Sequence, residues 1–189
     1  MEYDNIYFIN SYERNNHHAL RLKDNLKSLG VKNKNIKIIN GYDIKLNPKI
    51  KKTQICFLNF FHFILPEMID SKKNCYYLED HTIVCDNPDK YIKSNKIVWL
   101  GFMKRLSNYT VGSHLIYLDK DILQELNDEK DSYRPQHLDR FFKNLGEKKE
   151  YLQIGNSITK IIEHQSLNLN EIRKNPKNKY FKVGNYLNE

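Results

Sequence analysis

The chain has 189 residues, 40% of them hydrophobic, and its 31 Lys and Arg residues exceed its 23 Asp and Glu residues to give a formal net charge of +8. These values indicate a globular protein that forms one domain over residues 1–189. They argue against a membrane-spanning protein, because the longest apolar stretch, 55–69, is interrupted by His62, Pro66 and Glu67, whereas a spanning helix needs about 20 apolar residues.

The excess of positive charge predicts an anionic partner, which could be a nucleotide-sugar phosphate, a nucleic acid or an anionic membrane face touched peripherally. The first residues show no basic segment followed by an apolar one, so we expect no signal peptide. Cys56, Cys75 and Cys85 lie in apolar segments, and three cysteines are too few for a disulfide framework or a zinc knuckle. We therefore expect reduced cysteines and a cytoplasmic location.

The beginning of the chain predicts a βαβ unit. A strand, a helix and a second strand are expected over 6–9, 16–29 and 36–39. The helix is indicated by apolar residues at spacings of three and four and by Gly30 directly after it. Two strands joined in this way pair in parallel. The side chains that follow them, Asn10, Arg14 and Asp43, should then lie at one edge of the sheet.

The rest of the chain continues this alternation. We expect a buried helix over 53–69, strands over 75–85, 96–101 and 110–118, a helix capped by Asp119 and running through 126, a short helix from 135, and a weak strand over 151–154. Residues 173–189 form a basic tail. The pattern predicts an α/β protein with a mostly parallel sheet flanked by helices.

Three consecutive polar residues, Glu79, Asp80 and His81, interrupt the apolar stretch 75–85. In an open α/β sheet, ligands sit beyond the carboxyl ends of the strands, so carboxylates placed there can hold a metal or a sugar. An ordinary acidic turn at the end of a strand is the alternative. If His81 binds a metal, its second ring nitrogen should donate to a carbonyl or carboxylate.

Several short segments together make the chain resemble glycosyltransferase family twenty-five, the lipooligosaccharide and procollagen galactosyltransferase family. The segments that carry the resemblance are 7–14, 40–43, 99–101, 112–117 and 134–139, with Glu79-Asp80-His81 where the family has Glu-Asp-Asp. The helical Gly-Cys-x-x-Ser-His block of the family is half present, because Cys56 is kept while Ile55, Asn59 and Phe60 replace its Gly, Ser and His.

The resemblance implies a GT-A-type, Rossmann-like fold and an inverting transfer of galactose or glucose from a UDP-sugar. The acceptor would be a hydroxyl of a glycan, a lipooligosaccharide or a hydroxylysine-type residue. It further implies a Mn²⁺ or Mg²⁺ ion held by Asp80 and His81, with Glu79 beside them. The donor would be contacted by Asn10, Arg14, Asp43, Glu79, Gly112 and His114.

Asp139 is the residue that the resemblance makes the catalytic base, although a carboxylate in the first turn of a helix is also favoured by the helix dipole alone. His114 and Tyr117 point to opposite faces of a strand, so only one of them reaches the site, and we favour His114. Two other functions stay open: transfer to modified DNA bases, suggested by the positive charge, and a catalytically inactive binding module, suggested by His81 in the acidic triplet. Neither the sugar nor the oligomeric state is predicted.

Overall fold

The structure is a computed structural model. It describes residues 4–12, 16–42, 49, 51, 54–92, 97–104, 110–148, 152–154 and 158–161. Its strands are β1 (Ile6–Ser11), β2 (Ile36–Asn40), β3 (Cys75–Glu79), β4 (Thr82–Val84), β5 (Ile97–Lys104), β6 (Thr110–Leu118), β7 (Leu152–Ile154) and β8 (Thr159–Ile161). Its helices are α1 (Asn16–Ser28), α2 (Ile55–Asn59), α3 (Leu65–Ser71), α4 (Lys120–Asp128) and α5 (Leu138–Lys148).

Six strands form the central sheet, in the order β2-β1-β3-β6-β5-β7. Neighbours pair in parallel except on both sides of β6, which runs against β3 and β5. The predicted α/β class and mostly parallel sheet are therefore confirmed, with β6 as the one reversed strand of this sheet.

The predicted βαβ unit is confirmed as β1, α1 and β2. The buried positions of α1 include Ala19, Leu22 and Leu26, the spacing that predicted the helix. Gly30 follows the helix with φ of +92°, a left-handed conformation that glycine adopts at little cost. These side chains pack on one face of the sheet, against a cluster that also contains Tyr76 and Leu78.

The opposite face of the sheet is covered by the helices after β2. The expected single helix over 53–69 is found as α2, a π-helical segment over Phe60–Ile64, and α3. In the π-helical segment the N–H of Leu65 donates to the carbonyl of Phe60, five residues earlier. Pro66 comes directly afterwards, and because proline has no N–H to donate, a widened turn before it loses little hydrogen bonding. Phe60, Ile64 and Phe142 are fully buried on this face.

One expectation for the second half needs correction in detail. The predicted strand over 75–85 is divided into β3 and β4 by a turn at Asp80 and His81, because β3 pairs with β1 and β6 whereas β4 pairs with β8. Between the helix predicted through 126 and the one predicted from 135, the chain also forms a 3-10 helix, Lys130–Ser132. The predicted cap of α4 is confirmed, since Asp119 accepts a hydrogen bond from the N–H of Asp121 at 2.8 Å.

None of the helices in the described ranges has the length and apolar character needed to cross a bilayer. The basic tail over 173–189 lies outside the described residues, as do Arg14 and Asp43. A single domain over 1–189 stays a prediction.

Candidate metal and nucleotide-sugar site

The candidate site lies at the carboxyl edge of the sheet, where β1 and β3 end beside β6. Strand pairing aligns Asn10 with Glu79 between β1 and β3. Leu78 pairs with Leu115 between β3 and β6, so the next position along the ladder brings Glu79 beside His114. Residues that face each other across neighbouring strands point to the same side of a sheet. The register alone therefore places an amide, a carboxylate and an imidazole together.

The carboxylate of Glu79 contacts two histidines. Its Oε2 atom lies 3.0 Å from Nδ1 of His114 and 3.3 Å from Nε2 of His81. The side chains are 12%, 2% and 13% exposed for Glu79, His114 and His81, so water screens these contacts poorly. One ligand atom from each of the three residues lies within 4.8 Å of the other two. This spacing allows one divalent ion to bind all three residues at once.

His81 lies between two carboxylates. Its Nε2 faces Glu79, and its Nδ1 lies 3.5 Å from Oδ1 of Asp80. Burial disfavours the charged ring, but the contact with Asp80 and the charges of Glu79 and Asp80 outweigh burial and raise the pKa of His81. A neutral imidazole carries one N–H only, so one of its nitrogens would direct a lone pair at a carboxylate. A second proton or a bound cation removes that repulsion.

Asp80 is buried and held from two directions. Its Oδ2 accepts a hydrogen bond of 3.3 Å from the hydroxyl of Ser11, and its N–H donates to the carbonyl of Asn10 at 3.2 Å. The second bond continues the β1–β3 ladder by one residue. The segment Glu79-Asp80-His81 thus begins at the last residue of β3 and leaves the strand at Asp80.

Asn10 is 2% exposed and lies beside the cluster. Its Nδ2 donates to the hydroxyl of Tyr77 at 3.1 Å, while its Oδ1 has no hydrogen-bond partner in the part of the chain that the structure describes. A buried amide oxygen without a partner is costly, unless a ligand or water supplies the missing donor. Asn10 therefore fits the expected role in contacting a ligand.

Two further groups near the cluster were not predicted as site residues. Burial raises the pKa of the Tyr12 hydroxyl, and the nearby Cys56, Glu79 and Asp80 raise it further. Burial also raises the pKa of the Cys56 thiol, together with the charges of Glu79, Asp80 and Asp139. Both shifts favour the protonated, neutral forms, so each group can act as a neutral hydrogen-bonding side chain at the site.

Asp139 lies in the first turn of α5 and is half-buried. Its charge affects Cys56, which the charges of Glu79 and Asp80 also affect, so these three carboxylates share one region of the molecule. Oδ1 of Asp139 accepts a hydrogen bond of 2.7 Å from the N–H of Arg140, a contact expected of a carboxylate at a helix start. The two interpretations of Asp139 remain compatible with its position.

The turn after β2 is clamped by a buried asparagine. Oδ1 of Asn59 accepts from the N–H of Tyr42 at 2.7 Å, and its Nδ2 donates to the carbonyl of Tyr42 at 3.2 Å. A Cβ atom on Gly41 would lie 2.4 to 2.6 Å from the amide atoms of Asn59, so glycine is required there for packing. The N–H of Gly41 also donates to the carbonyl of Ser11. This turn is therefore fixed to the end of β1, next to the site.

The predicted residues can now be located. The structure brings together Asn10, Glu79, Asp80, His81 and His114, and Asp139 lies in the same region. Gly112 lies in β6, two positions before His114. His114 lies beside Glu79, whereas Tyr117 packs against Tyr76 on the opposite face of the sheet, and the role of His114 stays a prediction. Sequence reasoning missed Ser11, Tyr12 and Cys56, although Ser11 and Tyr12 directly follow Asn10 in the strand-end segment.

The ligand atoms of this cluster, two imidazole nitrogens and a carboxylate oxygen, suit a transition metal. Imidazole nitrogens suit Zn²⁺, Fe²⁺, Cu²⁺ and related ions, carboxylate oxygens suit Mn²⁺ and Mg²⁺, and a mixed set therefore favours an ion that accepts both. Three protein ligands leave further positions open for a substrate, as in catalytic rather than structural metal sites. Glu79, His81 and His114 meet this requirement, and the charge of Asp80 next to them adds to the attraction for a cation.

A cavity of about 590 Å³ lies at the other edge of the sheet, near the start of β1. Lys32, Lys34 and Lys90 contribute to its lining, together with Asp4 and Asp89. Lys90 already pairs with Asp86 at 2.8 Å, and Asp4 pairs with Lys73. Unlike the cluster at the carboxyl edge, this cavity has no histidine among its lining residues.

No protein-family model matches the chain, and no curated protein matches it in sequence. Solved structures match it in fold. A glycosyltransferase involved in the glycosylation of the major capsid of PBCV-1 aligns with a TM-score of 0.55 and 9% sequence identity, covering 79% of this chain and 80% of that chain.

A second similar structure is a Drosophila beta-1,4-galactosyltransferase 7 variant in complex with manganese, UDP-Gal and xylobiose. It aligns with a TM-score of 0.54 and 11% identity, covering 90% of this chain and 79% of that chain. Such low identities show the fold alone, because one fold can carry several functions. The chain thus has the fold of GT-A glycosyltransferases.

Proposed function

We propose that the protein is a metal-dependent glycosyltransferase that moves a hexose, galactose or glucose, from a UDP-sugar to a hydroxyl acceptor. The observation that carries the proposal is the Glu79, His81 and His114 cluster at the carboxyl edge of a sheet with the GT-A fold. Ligands of open α/β sheets bind at this edge. The resemblance to glycosyltransferase family twenty-five points to the same chemistry, although the finer family assignment stays part of the proposal.

Glu79, His81 and His114 would hold the ion, and the two imidazoles favour Mn²⁺ over Mg²⁺. A divalent ion bound there would neutralise the charge that develops on the diphosphate leaving group. Asn10 would supply its buried Oδ1 to a donor group of the nucleotide sugar, since this oxygen has no partner within the described residues. Arg14, Asp43 and Gly112 would complete the donor contacts, as the family resemblance implies.

Asp139 would act as the base in an inverting transfer. The acceptor oxygen forms a bond to the anomeric carbon, the bond from that carbon to the UDP oxygen breaks, and the hydroxyl proton passes to the Asp139 carboxylate. The position of Asp139, half-buried and near enough to affect Cys56, supports this role. Replacement of Asp139 by Asn should lower kcat on the order of 100-fold or more while Mn²⁺ affinity is kept.

The direct test is UDP release from UDP-galactose and UDP-glucose, measured with Mn²⁺, with Mg²⁺ and with a chelator. Turnover, or hydrolysis in the absence of an acceptor, that requires Mn²⁺ would support the proposal. Calorimetry with Mn²⁺ and UDP separates an enzyme from an inactive module. A protein that neither binds UDP in the presence of Mn²⁺ nor releases it would contradict the proposal.

A hydroxyl on a modified DNA base is a second acceptor class, favoured by the formal net charge of +8. Its binding should weaken steeply as the salt concentration rises, because bound phosphates release counterions. Duplex DNA that fails to bind in low salt would leave glycan and hydroxylated protein acceptors.

A further inference from the structure

We propose that Asp80 acts through His81 as a positioning residue and is not itself a metal ligand. This inference rests on the metal-dependent function proposed above and refines it. The resemblance implies that the central carboxylate of the acidic triplet binds the ion, whereas the geometry points to Glu79 and the two histidines as the binding group. Asp80 would then orient His81, one of those ligands, by contacting the ring nitrogen that does not bind the ion.

The two ring nitrogens of His81 face different carboxylates. Its Nε2 lies 3.3 Å from Oε2 of Glu79, the oxygen that also lies 3.0 Å from His114. Its Nδ1 lies 3.5 Å from Oδ1 of Asp80. The two nitrogens point away from each other across the ring, so Asp80 contacts the side of the ring that faces away from Glu79 and His114.

Without a cation, Glu79 at 3.3 Å from Nε2 and Asp80 at 3.5 Å from Nδ1 compete for the N–H of a neutral His81 ring. With a cation held at the cluster, the lone pair of Nε2 would face the ion, and the N–H would lie on Nδ1, towards Asp80. Histidines that bind metals commonly donate their second N–H to a carboxylate or carbonyl, which fixes the ring and makes the binding nitrogen more basic. Asp80 has the position of that second group.

Asp80 is itself immobilised, as a positioning residue must be. Its Oδ2 accepts from the hydroxyl of Ser11 at 3.3 Å, its N–H donates to Asn10, and its side chain is 4% exposed. Moving the carboxylate into the cluster would break the bond to Ser11 and the contact with His81. Ser11 therefore holds Asp80, and Asp80 in turn contacts His81, which belongs to the cluster.

The test is a double-mutant cycle in Mn²⁺ affinity on the full chain, measured by calorimetry and by competition with a chromophoric chelator. The proteins are the wild type, Asp80→Ala, His81→Ala and the double variant. Asp80→Ala alone should weaken Mn²⁺ binding about 10- to 100-fold. In the background of His81→Ala the same change should have a much smaller effect, because the residue through which Asp80 acts is gone and only the longer-range attraction of its charge for the cation is left.

Graded variants test the same contacts. Asp80→Asn keeps an oxygen that can accept from Nδ1–H but loses the charge, so its Mn²⁺ affinity should fall between those of the wild type and Asp80→Ala. Ser11→Ala should weaken binding less than either. Asp86→Ala is the matched control, because that carboxylate pairs with Lys90 and Tyr91 away from the cluster, and its affinity should equal that of the wild type.

The outcomes separate the two proposals. If the wild type binds Mn²⁺ and the losses from Asp80→Ala and His81→Ala add, Asp80 is a ligand and this inference is wrong, while the proposed function stands. An Asp80→Ala variant that folds, judged by circular dichroism and its urea midpoint, and binds Mn²⁺ as the wild type does would also overturn it. A wild type with no affinity for Mn²⁺ removes both.

Discussion

Strands β1 and β3 of the central sheet begin at what we call the amino edge and end at the carboxyl edge. Each of these edges holds a carboxylate among buried side chains, and the groups around the two carboxylates differ in kind. At the amino edge, Oδ1 of Asp89 accepts hydrogen bonds of 2.7 Å from Nδ2 of Asn5 and from the hydroxyl of Tyr76. At the carboxyl edge, Oε2 of Glu79 lies between nitrogens of His81 and His114.

Under the proposed function, the amino edge serves stability and the carboxyl edge serves chemistry. Asp89 thus accepts from an amide and a phenol, two uncharged donors whose protons are not exchanged near neutral pH. The imidazoles around Glu79 can exchange a proton for a metal ion, so their arrangement depends on what is bound. We therefore expect changes at the amino edge to alter folding and changes at the carboxyl edge to alter binding.

The largest expected effect is that of Glu79→Gln. The amide keeps the size of the side chain but removes the charge shared by both histidines, so Mn²⁺ affinity should fall on the order of 100-fold or more, and metal-dependent UDP release should fall with it. Calorimetry measures the first and a coupled UDP assay the second. Stability without metal should change little, and unaltered Mn²⁺ binding would refute the assignment of the cluster.

Asp89→Ala is the counterpart at the amino edge. It leaves the Tyr76 hydroxyl, on a fully buried side chain, and the Asn5 amide without their acceptor, which should cost about 2 kcal/mol of unfolding free energy. Urea denaturation measures this loss. Mn²⁺ affinity of the folded variant should stay within about twofold of the wild type; a loss of binding comparable to that of Glu79→Gln would mean that the two edges are not independent.

Gly41→Ala tests how firmly the frame beside the carboxyl edge is held. The new Cβ would be forced into the amide of Asn59, which bonds both to the N–H and to the carbonyl of Tyr42. We expect a loss of about 1 to 2 kcal/mol in unfolding free energy, typical of overpacking. Asn40→Ala, a change at the preceding exposed residue, is the control and should cost much less. Equal stabilities of the two variants would contradict the packing role of Gly41.

The smallest effect is a pH dependence of the metal-free protein. The pKa of His81 is raised in the folded state above its ordinary value of 6.5. Its contribution to stability is therefore fully present below that value and is lost as the pH rises through the raised pKa. Urea midpoints measured across this range should fall with pH in the wild type more than in His81→Gln. An identical slope in both proteins would exclude His81 as the source.

Local patterns predicted the elements that make up most of the sheet. The βαβ unit followed from Ala19, Leu22 and Leu26 at helical spacing, and the cap at Asp119 followed from residue type alone. The division of 75–85 into β3 and β4 was missed because β4 is defined by its partner β8, more than 70 residues later, and both are three residues long. The π-helical segment was missed as well, since an apolar run does not record how its turns are widened.

The site was predicted as a list of residues but not as a geometry. Glu79, Asp80 and His81 were found because polar residues at the end of an apolar strand are conspicuous. That His114 joins Glu79 depends on the register of β3 and β6, which no local pattern reports. The contact of Asp80 with Nδ1 of His81 depends on a turn between β3 and β4, which belong to different sheets.

The reversed strand β6 also bears on how the protein acquires its site during folding. Glu79 and His114 are 35 residues apart in sequence, and they meet through a ladder between strands that run in opposite directions. We expect such a non-local pairing to form more slowly than helices and adjacent turns, because the intervening chain must first close into a loop. A metal ion that binds only after this ladder has formed stabilises the finished sheet by mass action, so it should slow unfolding without accelerating folding. The rate at which Mn²⁺ affinity appears in a refolding experiment would then report when β3 and β6 pair.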